Sequence, residues 1–218
     1  MSAKAYNWNV IVRGSWNRAI FSPAWIAKEV FCLGDGTPIE VQVAIDTIGP
    51  LRVRHDQVIV SVNNEVLEVI AEDHSFSGLS KAMKVAAKAL EKLPVTPVTA
   101  AGFNVRYRFD EVPGQTVELF DSLLDDRLCT EYSIISRGLS RQIRPRKDQL
   151  NAGVVTMSAS LGSMGGTDLT IELNFHRDSR NWGELKDWLE IPSELVKEVT
   201  LSLCEYMLVS EVMEESNA

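Results

Sequence analysis

The chain has 218 residues, of which 45% are hydrophobic and 24% charged, and a chain of this size and composition can form a globular domain whose core needs no disulfide or metal. Its formal net charge of −8 disfavours broad electrostatic binding to nucleic acid or acidic membranes, while leaving room for a local basic site. Residues 1–9 lack the apolar segment of a signal peptide, and the apolar runs fall short of the ~20 residues that span a bilayer. We therefore expect a cytoplasmic protein with no membrane association.

The first 37 residues combine one clear strand with a segment rich in aromatic residues. Trp8, Val10 and Val12 share one side of an alternating run, which predicts a strand ending at Gly14. Residues 15–37 contain more tryptophan and phenylalanine without a clean period, although a proline favours a short helix from about residue 23 to residue 30. These aromatic side chains either fill the core or form an exposed patch that binds a partner or a second copy of the chain.

Three alternating runs predict the next strands, at residues 39–45, 58–62 and 65–71. Asn63 and Asn64 stand between the second and the third run, and asparagine tolerates the positive φ of a tight hairpin turn. The last two runs are therefore predicted to form a β-hairpin.

Residues 77–93 predict an amphipathic helix, because apolar residues recur there at three- and four-residue spacing and lysines lie largely on the other side. Ser75 or Ser77 can cap its start, and Pro94 ends it because proline lacks a backbone donor. The run at 103–110 then alternates apolar with polar residues, so one face of the predicted strand is apolar and the other charged. A strand buried on one face belongs to an antiparallel sheet more often than to a parallel one.

The second half of the chain offers a similar succession of strands and helices. One strand is predicted to begin at residues 132–135, and others to span 155–161 and 169–175, with a turn at 162–167 and helices at 117–124, 182–189 and 193–210. Each half thus has several strands and a long helix, which suits an ancient duplication although no residue-level repeat is visible.

The expected fold is α+β: an antiparallel sheet of about eight strands, either continuous or split into two half-sheets, with the helices at 77–93 and 193–210 packed on one face. We expect a single domain over residues 1–218, either undivided or built from two similar halves at about 1–110 and 111–218.

Part of this layout resembles a known family. Pro94 and Pro97, the run Gly102-Phe103-Asn104-Val105-Arg106-Tyr107, and the later strand and helices are similar to the middle and closing sections of a family of uncharacterised bacterial α+β proteins. The resemblance covers roughly the last two-thirds of the chain. It implies an α+β fold and no activity, because that family offers no catalytic residues to carry over.

The densest cluster of basic residues lies in the second half. Its members have no acid between them: Arg137, Arg141, Arg144, Arg146 and Lys147. Guanidinium groups at this density suit phosphate or carboxylate partners, so an anionic-ligand or RNA site is one interpretation. The other is a solvated loop whose charge offsets acidic neighbours such as Asp121, Asp125 and Asp126. This stretch lacks the aromatic residues on which single-strand binders stack bases.

Other basic residues lie on or near predicted strands. Arg106 and Arg108 occupy the polar face of the strand at 103–110, and Arg52 and Arg54 form a similar pair. If that face of the sheet is open, these arginines could line a shallow anion-binding surface. Alternatively, they pair with carboxylates on adjacent strands, such as those of Glu40 and Glu172.

Recognisable catalytic and cofactor motifs are absent from the sequence. It contains neither a Gly-x-Ser-x-Gly elbow nor an HExxH motif. Cys32, Cys129 and Cys204 lack metal-ligand spacing, and we interpret them as buried, reduced thiols. Residues 162–166 are rich in glycine but lack the Lys-Ser/Thr ending of a P-loop, which favours a hairpin tip. We expect no metal and no cofactor, and the sequence assigns no catalytic residue.

Three functional hypotheses follow. The preferred one is a non-enzymatic binding or assembly protein, acting as a homo-oligomer or with a protein partner, because its strands and aromatic residues suit pairing at a sheet edge or face. The second is recognition of an anionic ligand or RNA through residues 137–147. The third is an enzyme whose site is assembled around His176, Asp178 and Arg106, since catalytic groups are often found where a strand ends.

Overall fold

The computed structural model describes residues 3–43, 50–131, 133–162 and 167–209, with the side chains of residues 123, 124 and 126 excepted. The strands are β1 (Ala3–Ala5), β2 (Trp8–Gly14), β3 (Glu40–Gln42), β4 (Arg52–His55), β5 (Val58–Val62), β6 (Val66–Ala71), β7 (Val98–Phe109), β8 (Arg137–Ile143), β9 (Val154–Leu161) and β10 (Leu169–Asp178). The helices are α1 (Pro23–Trp25), which continues as a π-helical turn (Ile26–Val30), α2 (Phe76–Lys92), α3 (Gly114–Glu118), α4 (Leu123–Leu128), α5 (Trp182–Leu189) and α6 (Ser193–Tyr206).

The described strands form one antiparallel sheet in the order β3-β4-β5-β6-β2-β7-β10-β9-β8, and β1 pairs with β7 in line with β2. Strands from the first and second halves of the chain meet at the centre, where β7 pairs with the whole length of β10. The sheet is therefore continuous rather than split. The prediction of an α+β fold with an antiparallel sheet is confirmed.

One face of the sheet, called the core face, carries the hydrophobic core. Phe103 and Val105 of β7 are completely buried there, as the alternation of the sequence predicts. The Phe103 ring stacks on Phe175 and on Trp188, with ring centroids 5.0 Å and 6.0 Å apart, and so joins β7, β10 and α5. The opposite side, called the open face, carries the polar residues of the same strands.

Among the described helices, α2 and α5 make the main contacts with the sheet, both on the core face: α2 lies over β2, β5 and β6, and α5 lies over β7 and β10. The prediction that the helix at 77–93 packs on the sheet is confirmed by α2. The helix predicted at 193–210, α6, packs mainly on α2 instead, and α5 occupies the position on the sheet that was predicted for α6. Ser75 caps α2, since its Oγ accepts a hydrogen bond from the Gly78 amide at 3.0 Å.

Three aromatic residues of the first quarter lie in the core, and Trp25 and Phe31 are partly buried against it. Trp8, Trp16 and Phe21 have 1%, 3% and 4% of their surface exposed, and the rings of Trp16 and Phe21 meet edge to face at 5.7 Å. Of the two interpretations of this segment, core filling accounts for these three residues.

The described sheet has ten strands instead of about eight, and the additional strands carry weak sequence signals. β1 and β4 are short, and three of the four residues of β4 are arginine or histidine. Residues 133–136 are not a strand, contrary to the prediction for 132–135, and the strand begins instead at Arg137. Arg137 and Arg141 therefore lie in an edge strand rather than in a loop. The predicted start is too early, and the pattern of β8 itself is weak because two of its four core-face residues are arginines.

The hairpin between β5 and β6 is confirmed, but its turn differs from the prediction. Neither asparagine has a positive φ; instead, Asn63 Oδ1 accepts hydrogen bonds from the amides of Glu65 and Val66 at 2.8 and 2.7 Å. Positive φ values of 44° and 61° occur at Asp56 and Gln57, which join β4 to β5.

The helix predicted at 117–124 is replaced by two short helices, α3 and α4. Several predictions fall partly outside the described residues. These are positions 44 and 45 of the strand predicted at 39–45, position 132, positions 163–166 of the glycine-rich turn, and position 210 of the last helix.

Candidate functional site

The open face is organised by a row of asparagines at its centre. Asn9 of β2, Asn104 of β7 and Asn174 of β10 lie level with one another in the sheet register. Asn174 Nδ2 donates to Asn104 Oδ1 at 2.6 Å, and Asn104 Nδ2 donates to Asn9 Oδ1 at 2.8 Å. The row continues to β6, where Glu68 accepts a hydrogen bond from Asn9 at 2.6 Å. These bonds fix the side chains of four neighbouring strands.

Arg106 is held by protein groups on the open face. Its guanidinium contacts Glu172 Oε1 at 2.8 Å and also donates to the Asn7 carbonyl oxygen, and its side chain is 19% exposed. Arg106 therefore pairs with a carboxylate on an adjacent strand, as the second interpretation of the sequence proposed, and does not line an open anion-binding surface. Arg54 likewise pairs with Glu40 and Glu72.

Arg108 differs from Arg106 because it is exposed and forms no ion pair with a described residue. It lies level with Lys4 of β1 and Thr170 of β10, and Lys4 pairs with Asp110 at 2.6 Å. Arg106 and Arg108 therefore do not act as a pair of equivalent cationic groups.

A trough of about 450 Å³ runs along β7 on the open face. Its floor contains Ala100 and Gly102, which have the smallest side chains available to a strand. Gly102 is required by the sheet itself, because a Cβ there would lie 2.5 Å from the Phe175 carbonyl oxygen of β10. The open space above Gly102 thus follows from the close approach of the β7 and β10 backbones.

The walls of the trough come from the two strands that flank β7. Ile11 and His176 face each other across Gly102, and Arg13 and Asp178 face each other across Ala100. Arg13 and Asp178 are exposed, and neither forms an ion pair with a described residue.

His176 contributes its ring to one wall of the trough, and its Nδ1 atom is buried without a hydrogen-bond partner among the described residues. Of the three residues in the enzyme hypothesis, His176 and Asp178 line this trough, whereas Arg106 is held by Glu172 two rows away along β7. The sequence prediction missed Ile11, Arg13 and Asn174 as lining residues. The small residues at 100 and 102 inside a strand were a signal that could have pointed to the trough.

The basic cluster at 137–147 divides into paired and unpaired members. Arg137 is 8% exposed and contacts Asp121 Oδ1 at 2.6 Å, and Lys147 contacts Glu198 Oε1 at 2.6 Å. Arg141, Arg144 and Arg146 are exposed, and within the described residues none of them has a carboxylate partner. The guanidinium of Arg141 donates to the Ser140 carbonyl oxygen at 2.8 Å. The interpretation in which acidic neighbours offset the basic charge thus holds for Arg137. Arg141, Arg144 and Arg146 remain available to a partner.

The cysteines are not uniformly buried, contrary to the prediction. Cys32 and Cys129 are exposed, and Cys32 has a φ of 56° just after the first helical segment. Cys204 is buried, and burial raises the pKa of its thiol to about 12, so the thiol stays protonated at neutral pH and is a poor nucleophile.

Each histidine of the described chain has its own surroundings. His74 Nε2 accepts a hydrogen bond from the Asn7 amide at 3.1 Å, and the His55 ring lies against Phe31 with ring centroids 5.6 Å apart. No group of three His, Cys, Asp or Glu side chains among the described residues is placed to hold a metal ion. None of the described helices has the length and hydropathy that crossing a bilayer requires.

Comparison of the chain with known protein families, with curated proteins and with solved structures finds no match. The resemblance to a bacterial family therefore stays a prediction, and functional proposals for this chain depend on the geometry of its own residues.

Proposed function

We propose that this protein is a non-enzymatic binding protein that takes an acidic, extended segment of a protein partner as an additional strand beside β8. The observation that carries the proposal is the coincidence of an open sheet edge with unpaired arginines. β8 is the last strand of the sheet, and within the described chain its only strand partner is β9. Gly138 and the three residues 140–142 are exposed. An edge of this kind offers backbone donors and acceptors to an incoming strand.

Charge complementarity favours an acidic partner. Arg141 lies on β8, and Arg144 and Arg146 follow it immediately, all without carboxylate partners among the described residues. The rest of the chain carries an excess of acid, since the formal net charge is −8. Carboxylates of an extended segment can accept bidentate hydrogen bonds from these guanidinium groups. A second copy of β8 at this edge would instead bring two arginine clusters together, which disfavours self-pairing there.

Three observations favour a protein partner over RNA or catalysis. Residues 137–147 contain no aromatic side chain on which an unpaired base could stack. The trough histidine has no carboxylate partner among the described residues to orient it as a general base, and the Cys204 thiol is buried.

The test uses fluorescence anisotropy with a labelled ten-residue peptide of alternating glutamate and valine. We expect binding that weakens at high salt, and about a tenfold loss in the variant Arg141→Ala/Arg144→Ala, which corresponds to about 1.4 kcal/mol. A matched control, Arg18→Ala/Arg108→Ala, removes the same charge from exposed arginines on other parts of the chain and should leave the affinity unchanged.

A second peptide distinguishes strand addition from charge attraction. It has the same glutamates but proline in place of valine, and proline removes backbone donors and disfavours a strand. Equal binding of the two peptides, preferential binding of an oligouridine probe, or equal losses in the two double variants would contradict the proposal.

A further inference from the structure

The trough on the open face is a second feature with its own chemistry, separate from the β8 edge. Its floor is the backbone of β7 at Ala100 and Gly102, so a ligand in it would lie on the sheet without entering the core. The hydrogen-bonded row through Asn104 and Asn174 lies next along β7, towards β7's C-terminal end. The volume of about 450 Å³ lies within the range of about 300–1,000 Å³ typical of small-molecule sites.

Opposite charges face each other across this trough. Arg13 and Asp178 are both level with Ala100, on strands that flank β7, so their backbones are two strand spacings, or about 10 Å, apart. They form no ion pair with each other or with any other described residue. A ligand with a single charge would meet one of them favourably and be repelled by the other.

The hydrogen-bonding groups of the trough also differ between its two walls, with acceptors on one side and donors on the other. Asn174 uses its Nδ2 group to bind Asn104, while its Oδ1 accepts no hydrogen bond from a described residue. Asp178 and Asn174 therefore present acceptors on the β10 side, and Arg13 presents only donors on the β2 side. Ile11 adds an apolar contact on the wall opposite His176.

We propose that this trough binds a small zwitterion of the amino-acid class, with its carboxylate at Arg13, its ammonium group at Asp178 and Asn174, and its side chain against Ile11. A molecule that carries both charges close together can form a favourable charge interaction with Arg13 and with Asp178 at the same time. Bidentate contact with the guanidinium gives the carboxylate end its orientation.

The test is a titration of the full-length protein with each of the twenty amino acids, followed through backbone amide chemical shifts. For leucine, two matched probes remove one charge each: 3-methylbutylamine lacks the carboxylate, and 4-methylpentanoate lacks the ammonium group. We expect at least one amino acid to shift the amides of Gly102, His176 and Asp178. We also expect its single-charge analogues to bind at least tenfold more weakly.

Variants locate the site. Ala100→Leu should fill the trough and abolish binding, and Arg13→Gln and Asp178→Asn should each weaken it about tenfold. Ser158→Leu places the same side chain on the open face at β9, outside the trough, and should leave binding unchanged.

The proposal is wrong if no amino acid shifts the trough amides, or if the analogues bind as well as the amino acid. It is also wrong if Arg13→Gln and Asp178→Asn show coupled losses of stability, because the two residues would then pair with each other.

Discussion

Gly102 shows how a single residue shapes both the sheet and the trough. A side chain at this position would collide with backbone atoms of β10, which a flexible neighbour cannot relieve by rotating. Gly138 offers a contrast, since the nearest atom to a Cβ there is the Ala159 carbonyl oxygen at 3.7 Å, an ordinary van der Waals distance. Both glycines lie on the open face, so they differ mainly in how closely the neighbouring backbone approaches.

We predict that Gly102→Ala lowers the free energy of unfolding by about 1–3 kcal/mol, because the two central strands must move apart. Gly138→Ala should leave it unchanged or raise it by up to about 1 kcal/mol, since alanine loses less backbone entropy than glycine on folding. Urea unfolding of both variants measures the difference. Equal effects at the two positions would show that the close approach at Gly102 does not constrain the sheet.

Among elements, α2 follows its sequence most closely. The apolar spacing, the lysines of the solvent side and the proline after the helix all predict the bounds that the structure has, within one residue at each end. Leu79, Met83 and Leu90 are buried as expected. The sequence left two candidates for the cap, and the structure chooses Ser75, whose Oγ also donates to Asp73 at 2.8 Å.

We predict that Ser75→Ala lowers the free energy of unfolding by about 1 kcal/mol, because the Gly78 amide loses its acceptor. Ser77→Ala is the matched control: it removes the same group from an exposed position in the first turn and should change stability by less than about 0.5 kcal/mol. Thermal and urea unfolding of the pair give the comparison. A larger loss for Ser77→Ala would identify that serine as the cap.

β8 shows why the basic cluster was not recognised as part of a strand. Its core-face positions alternate arginine with leucine or isoleucine, so period-two hydrophobicity is weak. Arg137 can lie on that face because Asp121 neutralises it. The pairing partner, β9, cannot be read from the local sequence of β8.

At the scale of the whole molecule, the sheet joins the two halves of the chain through β7 and β10. The Phe103, Phe175 and Trp188 rings stack across that junction, so opening it would expose a large buried apolar surface on both sides. The halves, at about 1–110 and 111–218, are therefore expected to unfold together rather than as separate units.

We predict that amide hydrogen exchange at Val60 in β5 and at Leu173 in β10 reports the same free energy of opening. That value should equal the global free energy of unfolding from urea denaturation. Exchange at Leu173 through an opening that leaves Val60 protected would contradict the prediction and would indicate two independently stable halves.

The sequence by itself determined the class of fold, α2, the hairpin from β5 to β6 and the apolar face of β7, because each depends on a period that local residues display. The tertiary structure decided which distant strands lie side by side. Only the register of β2, β7 and β10 brings Arg13 opposite Asp178 and Ile11 opposite His176. That register depends on packing of the whole core, since a slip of one residue would exchange the two faces of a strand. Pairing with β9 likewise placed Arg137 and Arg141 in an edge strand, and the local sequence of β8 does not show that pairing.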